Sequence, residues 1–222
     1  MKLVIQIPAW NEEATLPRTL ADLPRRVPGF ARVEWLVVDD GSTDATARVA
    51  AASGADAVVG LGAHRGLAAA FRAGLEASLA RGADVIVNTD ADHQYRGADV
   101  ARLAAPVAAG AADMAVGERT ALRHARLQRA GSALVRRASG TAIRDATSGF
   151  RALSADAARA LRVTSSYTYT VETLIRSGRA GMRVAGVPVA VNPPLRPSRL
   201  FASPWGYVGR TGPSILYLWL RA

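Results

Sequence analysis

The first half of the chain alternates between short apolar runs and longer segments with helical periodicity. Four apolar runs predict strands, at residues 3–7, 33–38, 57–59 and 84–89. Three segments between them predict helices, at residues 15–23, 43–52 and 66–80. Strands joined by helices of this length form right-handed βαβ units and a mostly parallel sheet. The chain is therefore predicted to fold as a single α/β domain with helices flanking that sheet.

The second half is less regular. Strands are predicted at residues 113–117, 150–153 and 182–191, and helices at residues 98–109, 155–161 and 171–177. Between them, residues 119–144 are basic and weakly patterned, which is compatible with either a helix pair or a mobile loop over a site. Consecutive prolines at 193 and 194 then end regular structure, and a polar loop is expected up to residue 204.

Composition narrows the classes of partner and of site. The chain has 222 residues, half of them hydrophobic, which is enough for one domain with a substantial core. It has no cysteine and three histidines, which excludes cysteine-bound metals and disfavours a three-histidine zinc site. The formal charge is +10, carried almost wholly by arginine, and favours anionic partners such as nucleotide diphosphates or acidic lipid surfaces. No nucleic-acid-binding motif occurs, so nucleic acid is not expected as a partner.

The C-terminal segment, residues 205–222, is aromatic-rich and contains a short apolar stretch at residues 215–220. No run in the sequence reaches the ~18 apolar residues that a membrane-spanning helix needs. The segment could therefore lie on a membrane surface, pack on the core, or be the beginning of a longer apolar segment.

Polar side chains follow three of the predicted strands where each one ends, at residues 8–12, 39–42 and 90–94. Any one group could serve as a turn or helix cap. Three groups in consecutive βα units indicate a site, because open α/β sheets bind ligands at the carboxyl edge. Within the third group, Asp90 and Asp92 offer two hard oxygen anions that suit Mg²⁺ or Mn²⁺ with substrate phosphates in its shell. The sequence thus predicts a metal site for a diphosphate-bearing substrate.

Other residues at these strand ends carry complementary chemistry. Trp10 could stack on a base or ribose, or pack in the core. Asp39 could accept hydrogen bonds from a base or ribose, and Gln94 could add a neutral oxygen, whereas His93 is expected to point away. Neither G-x-G-x-x-G after the first strand nor G-x-x-x-x-G-K-[ST] occurs. These absences disfavour a Rossmann dinucleotide site and exclude a P-loop NTPase.

Six short motifs occur in a characteristic order. They are Ile-Pro-Ala-Trp-Asn-Glu-Glu at 7–13, Val-Val-Asp-Asp-Gly-Ser-Thr-Asp at 37–44, His-Arg-Gly-Leu-Ala-Ala-Ala at 64–70, Asp-Ala-Asp-His-Gln at 90–94, Gly-Glu-Arg at 117–119 and Asp-Ala-Thr-Ser-Gly-Phe-Arg at 145–151. Together they resemble the inverting family-2 glycosyltransferases with a GT-A fold, and among these the polyprenyl-phosphate (dolichyl-phosphate) sugar synthases. The resemblance spans residues 3 to about 200.

The resemblance implies a GT-A domain over residues 1–204 and a role for each matching position. The nucleotide pocket would be lined by Pro8, Ala9, Trp10, Glu12, Val38, Asp39, Gly66 and Ala91. The metal would be surrounded by Asp90, Asp92 and Gln94. Arg119 would approach the diphosphate or the sugar, and an acceptor phosphate would be held by Arg196, Ser198 and Arg199.

Four positions depart from the family pattern or leave their role open. Ala68 replaces a glycine, and Gly186 stands where the family often has glutamate. Asp145 could act as a base, support a neighbouring group, or cap the turn that follows it. Glu172, on a predicted helix, could be an ion-paired helix carboxylate or an acid near the acceptor.

The activity implied by the resemblance is metal-dependent, inverting transfer of a sugar from a nucleoside-diphosphate sugar to a polyprenyl phosphate, at the cytoplasmic face of the cell membrane. A lipid phosphate is already an anion at neutral pH, whereas a hydroxyl acceptor needs a general base. The many arginines between residues 119 and 137 suit a phosphate acceptor. Three alternatives remain: a transferase acting on a glycan or small-molecule hydroxyl, a nucleotidyltransferase, and a basic peripheral membrane protein without activity.

Overall fold

The computed structural model describes residues 1–120, 125–165 and 169–196. Within these ranges the strands are β1 (Lys2–Ala9), β2 (Arg32–Asp39), β3 (Ala57–Gly60), β4 (Val85–Asn88), β5 (Met114–Arg119), β6 (Arg151–Ser154) and β7 (Val184–Val189). The helices are α1 (Leu16–Asp22), α2 (Thr46–Ala52), α3 (Leu67–Ala80), α4 (Val100–Ala108), α5 (Ala125–Ser139), α6 (Ala155–Ala160) and α7 (Thr170–Arg179). One turn of 3-10 helix, Gly97–Asp99, precedes α4.

The strands form one sheet in the order β3-β2-β1-β4-β6-β5-β7. Neighbouring strands pair in parallel except for β6, which runs antiparallel to both β4 and β5. The predicted single α/β domain with a mostly parallel sheet is therefore confirmed. The reversal of β6 had no signal in the sequence, because a short apolar run does not reveal its direction.

Helices cover both faces of the sheet and create two apolar layers. On β1, Leu3, Ile5 and Ile7 face a cluster that includes apolar residues of α1, α2 and α4. Val4 faces the opposite cluster, with apolar residues of α3, α5, α6 and α7. Full burial of such a side chain contributes about 1.5–3 kcal/mol. Burial on both faces explains why the strands read as continuous apolar runs.

Helix α2 begins three residues later than the sequence predicts, at Thr46 rather than Thr43. The intervening backbone amides bind side chains from the first βα loop. The Thr43 amide donates to Asn11 Oδ1 at 2.8 Å, and the Ala45 amide donates to Glu13 Oε2 at 2.8 Å. These two contacts tie the ends of β1 and β2 together at the edge where a site was expected.

Two corrections concern the region after β4. The described part of residues 119–144 contains one helix, α5, where the sequence was compatible with a helix pair or a mobile loop over a site. Strand β5 also continues two residues beyond its predicted end at 117, so that Glu118 and Arg119 pair with Pro188 and Val189 of β7. No helix in the described ranges is long and apolar enough to cross a membrane. The C-terminal segment 205–222 lies outside the described residues.

Candidate active site

The candidate site lies at the carboxyl edge of the central strands. In the antiparallel pair of β4 and β6, Asn88 at the end of β4 lies opposite Arg151 at the start of β6. The turn that precedes β6 therefore stands at the same edge as the segment that follows β4. Strand β5 also ends at this edge, because its Val116 lies opposite Arg151. The topology thus brings residues 90–94, Arg119 and residues 145–150 together, as the site prediction requires.

Gly149 and Asp90 are in close approach within this cluster. A methyl group on Gly149 would lie 2.8 Å from Asp90 Oδ1 and 2.9 Å from the Tyr169 hydroxyl. The Gly149 carbonyl accepts hydrogen bonds from the Asn88 side-chain amide at 2.9 Å and from the Tyr169 hydroxyl at 3.2 Å. Its amide donates to the Tyr95 hydroxyl at 3.0 Å. Gly149 is therefore fixed in a position that leaves no room for a side chain beside the Asp90 carboxylate.

The acidic pair is electrostatically strained. Burial, followed by the charge of Asp92, raises the pKa of Asp90 to about 7. Burial likewise raises the pKa of Asp92, although the nearby charge of Arg196 opposes the shift. Two half-buried carboxylates whose pKa values are raised provide the oxygen donors that a hard divalent cation prefers.

The donor set fits a cation that also binds substrate. Among the residues that the structure describes, no three histidine, aspartate or glutamate side chains converge as a ready-made metal cage. Mg²⁺ and Mn²⁺ at phosphate-binding sites are commonly held by one or two carboxylates, with substrate phosphates and water completing the shell. The pair of Asp90 and Asp92 matches that arrangement.

The residues that follow Asp92 orient it. Gln94 donates from its side-chain nitrogen to Asp92 Oδ2 at 2.9 Å and from its backbone to Oδ1 at 3.3 Å. His93 adopts a left-handed backbone with φ of 61°, and its ring nitrogen Nε2 lies 3.7 Å from a carboxylate oxygen of Asp22 on α1. Gln94 is thus next to the predicted metal position, while His93 faces a residue of α1.

Arg196 lies between Glu12 and the acidic pair. Its guanidinium forms an ion pair with Glu12, and its Nη2 is 3.9 Å from Asp92 Oδ2. The sequence assigned Glu12 to the nucleotide pocket and Arg196 to an acceptor phosphate, and the structure places the two in contact. Ser198 and Arg199, the other predicted acceptor residues, lie outside the described residues.

The first two strand ends, which were predicted to line a nucleotide pocket, lie side by side. Pro8 and Ala9 pair in register with Val38 and Asp39. The buried Ala91 follows Asp90, and its carbonyl accepts a hydrogen bond from Thr19 at 2.9 Å. Asp39 Oδ1 accepts a bond from the Ser42 amide at 3.2 Å. These strand-end residues therefore line one continuous edge beside the acidic pair.

The half-buried Trp10 stacks on a partner that the sequence did not suggest. Its ring lies 4.1 Å from that of His64, with 20° between the planes. His64 Nδ1 is 2.9 Å from Asp40, whose carboxylate also accepts the amides of Arg65 at 2.7 Å and Gly66 at 2.9 Å. Asp40 thus holds the loop before α3 against Trp10. Sequence reasoning had left Asp40 without a role, although the adjacent acids at 39 and 40 were the available signal.

Arg119 and Asp145 form a two-pronged ion pair. Arg119 Nε donates to Asp145 Oδ2 at 2.6 Å, and Nη2 donates to Oδ1 at 2.9 Å and to Thr147 at 2.8 Å. Burial alone would raise the pKa of Asp145, but the hydrogen bonds and charge of Arg119 outweigh it and hold that pKa below its ordinary value. Both carboxylate oxygens are engaged, so the geometry favours Asp145 as the support of Arg119 rather than as a base.

Beside this ion pair is a cavity of about 710 Å³. Its walls carry four guanidinium groups and two carboxylates. The charged residues that line it are Arg119, Arg129, Arg136, Arg144, Glu118 and Asp145. The surplus of positive charge suits an anionic group such as a phosphate, which bidentate arginines recognise well.

Glu172 is tied to local partners. Its carboxylate accepts hydrogen bonds from the Thr164 amide at 2.9 Å, the Ser165 amide at 2.7 Å and Arg176 Nε at 2.8 Å. These contacts secure residues 164–165 against α7. Of the two roles considered for Glu172, the structure favours the ion-paired helix carboxylate.

Arg151 is fully buried beneath the site and supports it through hydrogen bonds. It donates to the carbonyls of Ala146 at 3.1 Å and Ser148 at 3.0 Å, and it contacts Thr173. It therefore holds the turn that presents Asp145 and Gly149. No role was predicted for Arg151, Asn88, Tyr95 or Tyr169, because such support depends on contacts between distant segments.

Replacing Gly149 with alanine is expected to reduce the catalytic activity of this site by about a hundredfold. The added methyl group displaces Asp90, and a shift of about 1 Å at a reacting centre can cost that factor. Transfer would be measured alongside Gly131→Ala, a helical position with nothing within 4 Å of an added methyl group. Wild-type activity in Gly149→Ala would contradict the assignment of this close approach to the site.

Comparison with known proteins places these features in a family. The model described as Glycosyl transferase family 2 matches residues 4–160. An undecaprenyl-phosphate mannosyltransferase of Micrococcus luteus is 32% identical over 206 residues, which cover 85% of this chain and 83% of the relative. A polyprenol monophosphomannose synthase of Mycolicibacterium smegmatis is 30% identical over 208 residues, covering 85% of this chain and 76% of the relative. Glucosyl-3-phosphoglycerate synthase of Mycobacterium tuberculosis, solved with Mn²⁺ and UDP-glucose, shares the fold with a TM-score of 0.78 at 24% identity, covering 98% of this chain and 78% of that one.

Proposed function

Because this chain belongs to glycosyl transferase family 2 and is a glycosyltransferase with the GT-A fold, we propose that it transfers a sugar from a nucleoside-diphosphate sugar to a polyprenyl phosphate with the aid of Mg²⁺ or Mn²⁺. The observation that carries the proposal is the position of the half-buried Asp90–Asp92 pair beside Arg119, with an arginine-lined cavity beyond it. Family membership also sets aside the nucleotidyltransferase and the inactive membrane protein.

The donor diphosphate is proposed to lie between the nucleotide wall and the acidic pair. Asp90 and Asp92 would hold the metal ion, with Gln94 orienting Asp92. When bound, the ion acts as a Lewis acid that neutralises charge on the departing diphosphate. One cation–anion pair at ~4 Å contributes about 4 kcal/mol at an effective dielectric near 20. That energy corresponds to roughly a thousandfold in rate.

Arg119 is proposed to add a donor at the reacting centre. Asp145 binds it through two parallel hydrogen bonds, which fix the plane of the guanidinium before substrate arrives. A preset donor does not have to reorganise as negative charge develops on the phosphate, and such preorganisation is a main source of electrostatic catalysis.

The acceptor phosphate is proposed to enter the arginine-lined cavity. Its four guanidinium groups outnumber its two carboxylates, as a phosphate monoester dianion requires. Asp145, which was a candidate base, and Glu172, which was considered as an acid near the acceptor, are both engaged by arginine and other donors. A phosphate oxygen needs no base to attack, whereas a hydroxyl does. This contrast favours a lipid phosphate over a glycan or small-molecule hydroxyl.

A membrane surface is the proposed place of reaction. A polyprenyl chain partitions into lipid, so its phosphate is presented at the bilayer interface, and the sequence-based assignment is to the cytoplasmic face. The formal charge of +10 adds electrostatic attraction to anionic headgroups. Sedimentation with anionic and with neutral vesicles would test this placement, and equal recovery with both would contradict the electrostatic contribution.

The acceptor assignment is tested by a direct comparison of substrates. Purified protein would be incubated with GDP-, UDP- or dTDP-sugars and with either a short polyprenyl phosphate, the matching polyprenol, or a soluble glycan. We expect a glycosylated polyprenyl phosphate and free nucleoside diphosphate with one donor class, and no product from the polyprenol. A product on the glycan, with none on the lipid phosphate, would replace the proposal with the hydroxyl-acceptor alternative.

The cavity arginines provide a second test. Arg129→Gln and Arg136→Gln should each raise the KM for polyprenyl phosphate about tenfold, because one charge-assisted hydrogen bond contributes about 1.5–3 kcal/mol. The donor KM should stay within about twofold of wild type. Arg159→Gln, on the exposed surface of α6, is the matched control. Equal effects on both KM values would argue against a cavity dedicated to the acceptor.

A further inference from the structure

Glu118 and Arg119 are neighbours at the end of β5, and each one holds a residue of the turn opposite. Arg119 binds the Asp145 carboxylate, as described above. Glu118 Oε1 accepts a hydrogen bond from the backbone amide of Arg144 at 2.5 Å. Two consecutive strand residues are therefore joined to two consecutive turn residues on the wall of the arginine-lined cavity.

We propose that Glu118 is a positioning residue of this cavity, which fixes where the Arg144 guanidinium stands. The inference rests on the proposed function, since the cavity is taken to bind the acceptor phosphate. Arg144 is exposed at the cavity wall, and a fixed backbone lowers the entropy cost of holding its long side chain against a ligand. The Glu118 carboxylate provides that anchor through a charge-assisted hydrogen bond.

Gly186 on β7 provides the space in which the Glu118 carboxylate lies. Val116 of β5 pairs with Gly186, and Glu118 pairs with Pro188 two residues further along. A methyl group on Gly186 would lie 2.8 Å from the Glu118 Cδ and 2.9 Å from its Oε1. Gly186 does not have a left-handed backbone, so alanine is strained there only by this contact. Glu118 is a flexible side chain, so it would move aside and release Arg144.

This arrangement predicts that the effects of substitutions at Glu118 and Gly186 on the KM for polyprenyl phosphate are not additive. Glu118→Ala should raise the KM for polyprenyl phosphate about tenfold and leave the donor KM within about twofold, because Arg144 loses the bond that anchors it at the cavity wall. Glu118→Gln keeps an oxygen acceptor for the Arg144 amide and should stay within about threefold of wild type. Gly186→Ala alone should reproduce the Glu118→Ala effect. In the Glu118→Ala background, Gly186→Ala should have no further effect, because the group it displaces is already absent.

The matched control is Gly60→Ala, at a strand position with nothing within 4 Å of an added methyl group, which should be silent. Additive effects of Glu118→Ala and Gly186→Ala would overturn the proposal. A KM as poor in Glu118→Gln as in Glu118→Ala would also overturn it, since the charge itself and not the anchoring bond would then matter.

A readout independent of turnover separates this inference from the proposed function. Amide hydrogen exchange of a peptide covering residues 140–148 should be faster in Glu118→Ala and in Gly186→Ala than in wild type or Gly60→Ala, because the Arg144 amide loses its acceptor. Absence of transfer to lipid phosphate by wild-type protein, together with this exchange pattern, would refute the acceptor assignment and leave the Glu118–Gly186 coupling intact. Unchanged exchange in both variants would refute the coupling itself.

Discussion

Asp92→Asn is expected to lower the rate of sugar transfer by about a thousandfold while the protein stays folded. The loss reflects the removal of one of two carboxylates that are proposed to hold the metal ion against the donor diphosphate. Stability should be unchanged or higher at neutral pH. The pKa of Asp92 is raised in the folded protein, so its ionised form opposes folding above its ordinary pKa, and asparagine removes that cost.

Thermal unfolding with and without MnCl₂ and nucleoside diphosphate separates binding from folding. A ligand at about 100 times its Kd adds about 2.7 kcal/mol to the wild-type protein, and this gain should be absent from Asp92→Asn. Asp156→Asn, which alters a side chain that is 95% exposed, should retain both transfer and the ligand-dependent gain. Full activity in Asp92→Asn, or metal-independent transfer by the wild type, would contradict the proposed metal site.

Arg119→Met is expected to lower the free energy of unfolding by about 3–5 kcal/mol and to abolish detectable transfer. The substitution leaves the buried Asp145 carboxylate without its cation, and breaking a buried pair from one side has a cost of that size. The double variant Arg119→Met/Asp145→Asn should recover most of the lost stability, because no uncompensated charge remains. It should not recover sugar transfer, because Arg119 itself is proposed to contact the phosphate at the reacting centre.

Urea unfolding of the single and double variants, with parallel transfer assays, checks both parts of this prediction. The Asp145→Asn variant completes the thermodynamic cycle and reports the coupling energy between the two side chains. Recovered transfer in the double variant would show that Arg119 serves only to neutralise Asp145. Undiminished stability of Arg119→Met would show that Asp145 tolerates burial without this partner.

The sequence predicted the elements whose signal is local. The first four strands and the helices between them follow from apolar periodicity, and the acidic pair follows from its place after β4. The late start of α2 was not predictable, because the amides of Thr43 and Ala45 are taken by side chains more than thirty residues away. Such competition is visible only once β1 and β2 lie side by side.

The residues that support the site could not be predicted from the sequence for the same reason. Asn88 and Tyr169 meet at Gly149 although they are 81 positions apart, and Arg151 of β6 contacts Thr173 on α7. The sequence flagged Gly186 as unusual without explaining it. The explanation came from β5, which extends far enough for Glu118 to lie over the glycine.

The reversed direction of β6 determines how the segment between β5 and β6 is anchored. The chain leaves the sheet at Arg119 and re-enters it at Arg151, and both points are on the edge that carries the acidic pair. The segment of residues 120–150 is therefore attached to the sheet at both of its ends. Changes in the length or sequence of this segment can reshape the cavity wall that is proposed to bind the acceptor, without altering the strand register at the proposed donor site. A scaffold with this connectivity can diversify what it glycosylates while conserving how it binds the activated sugar.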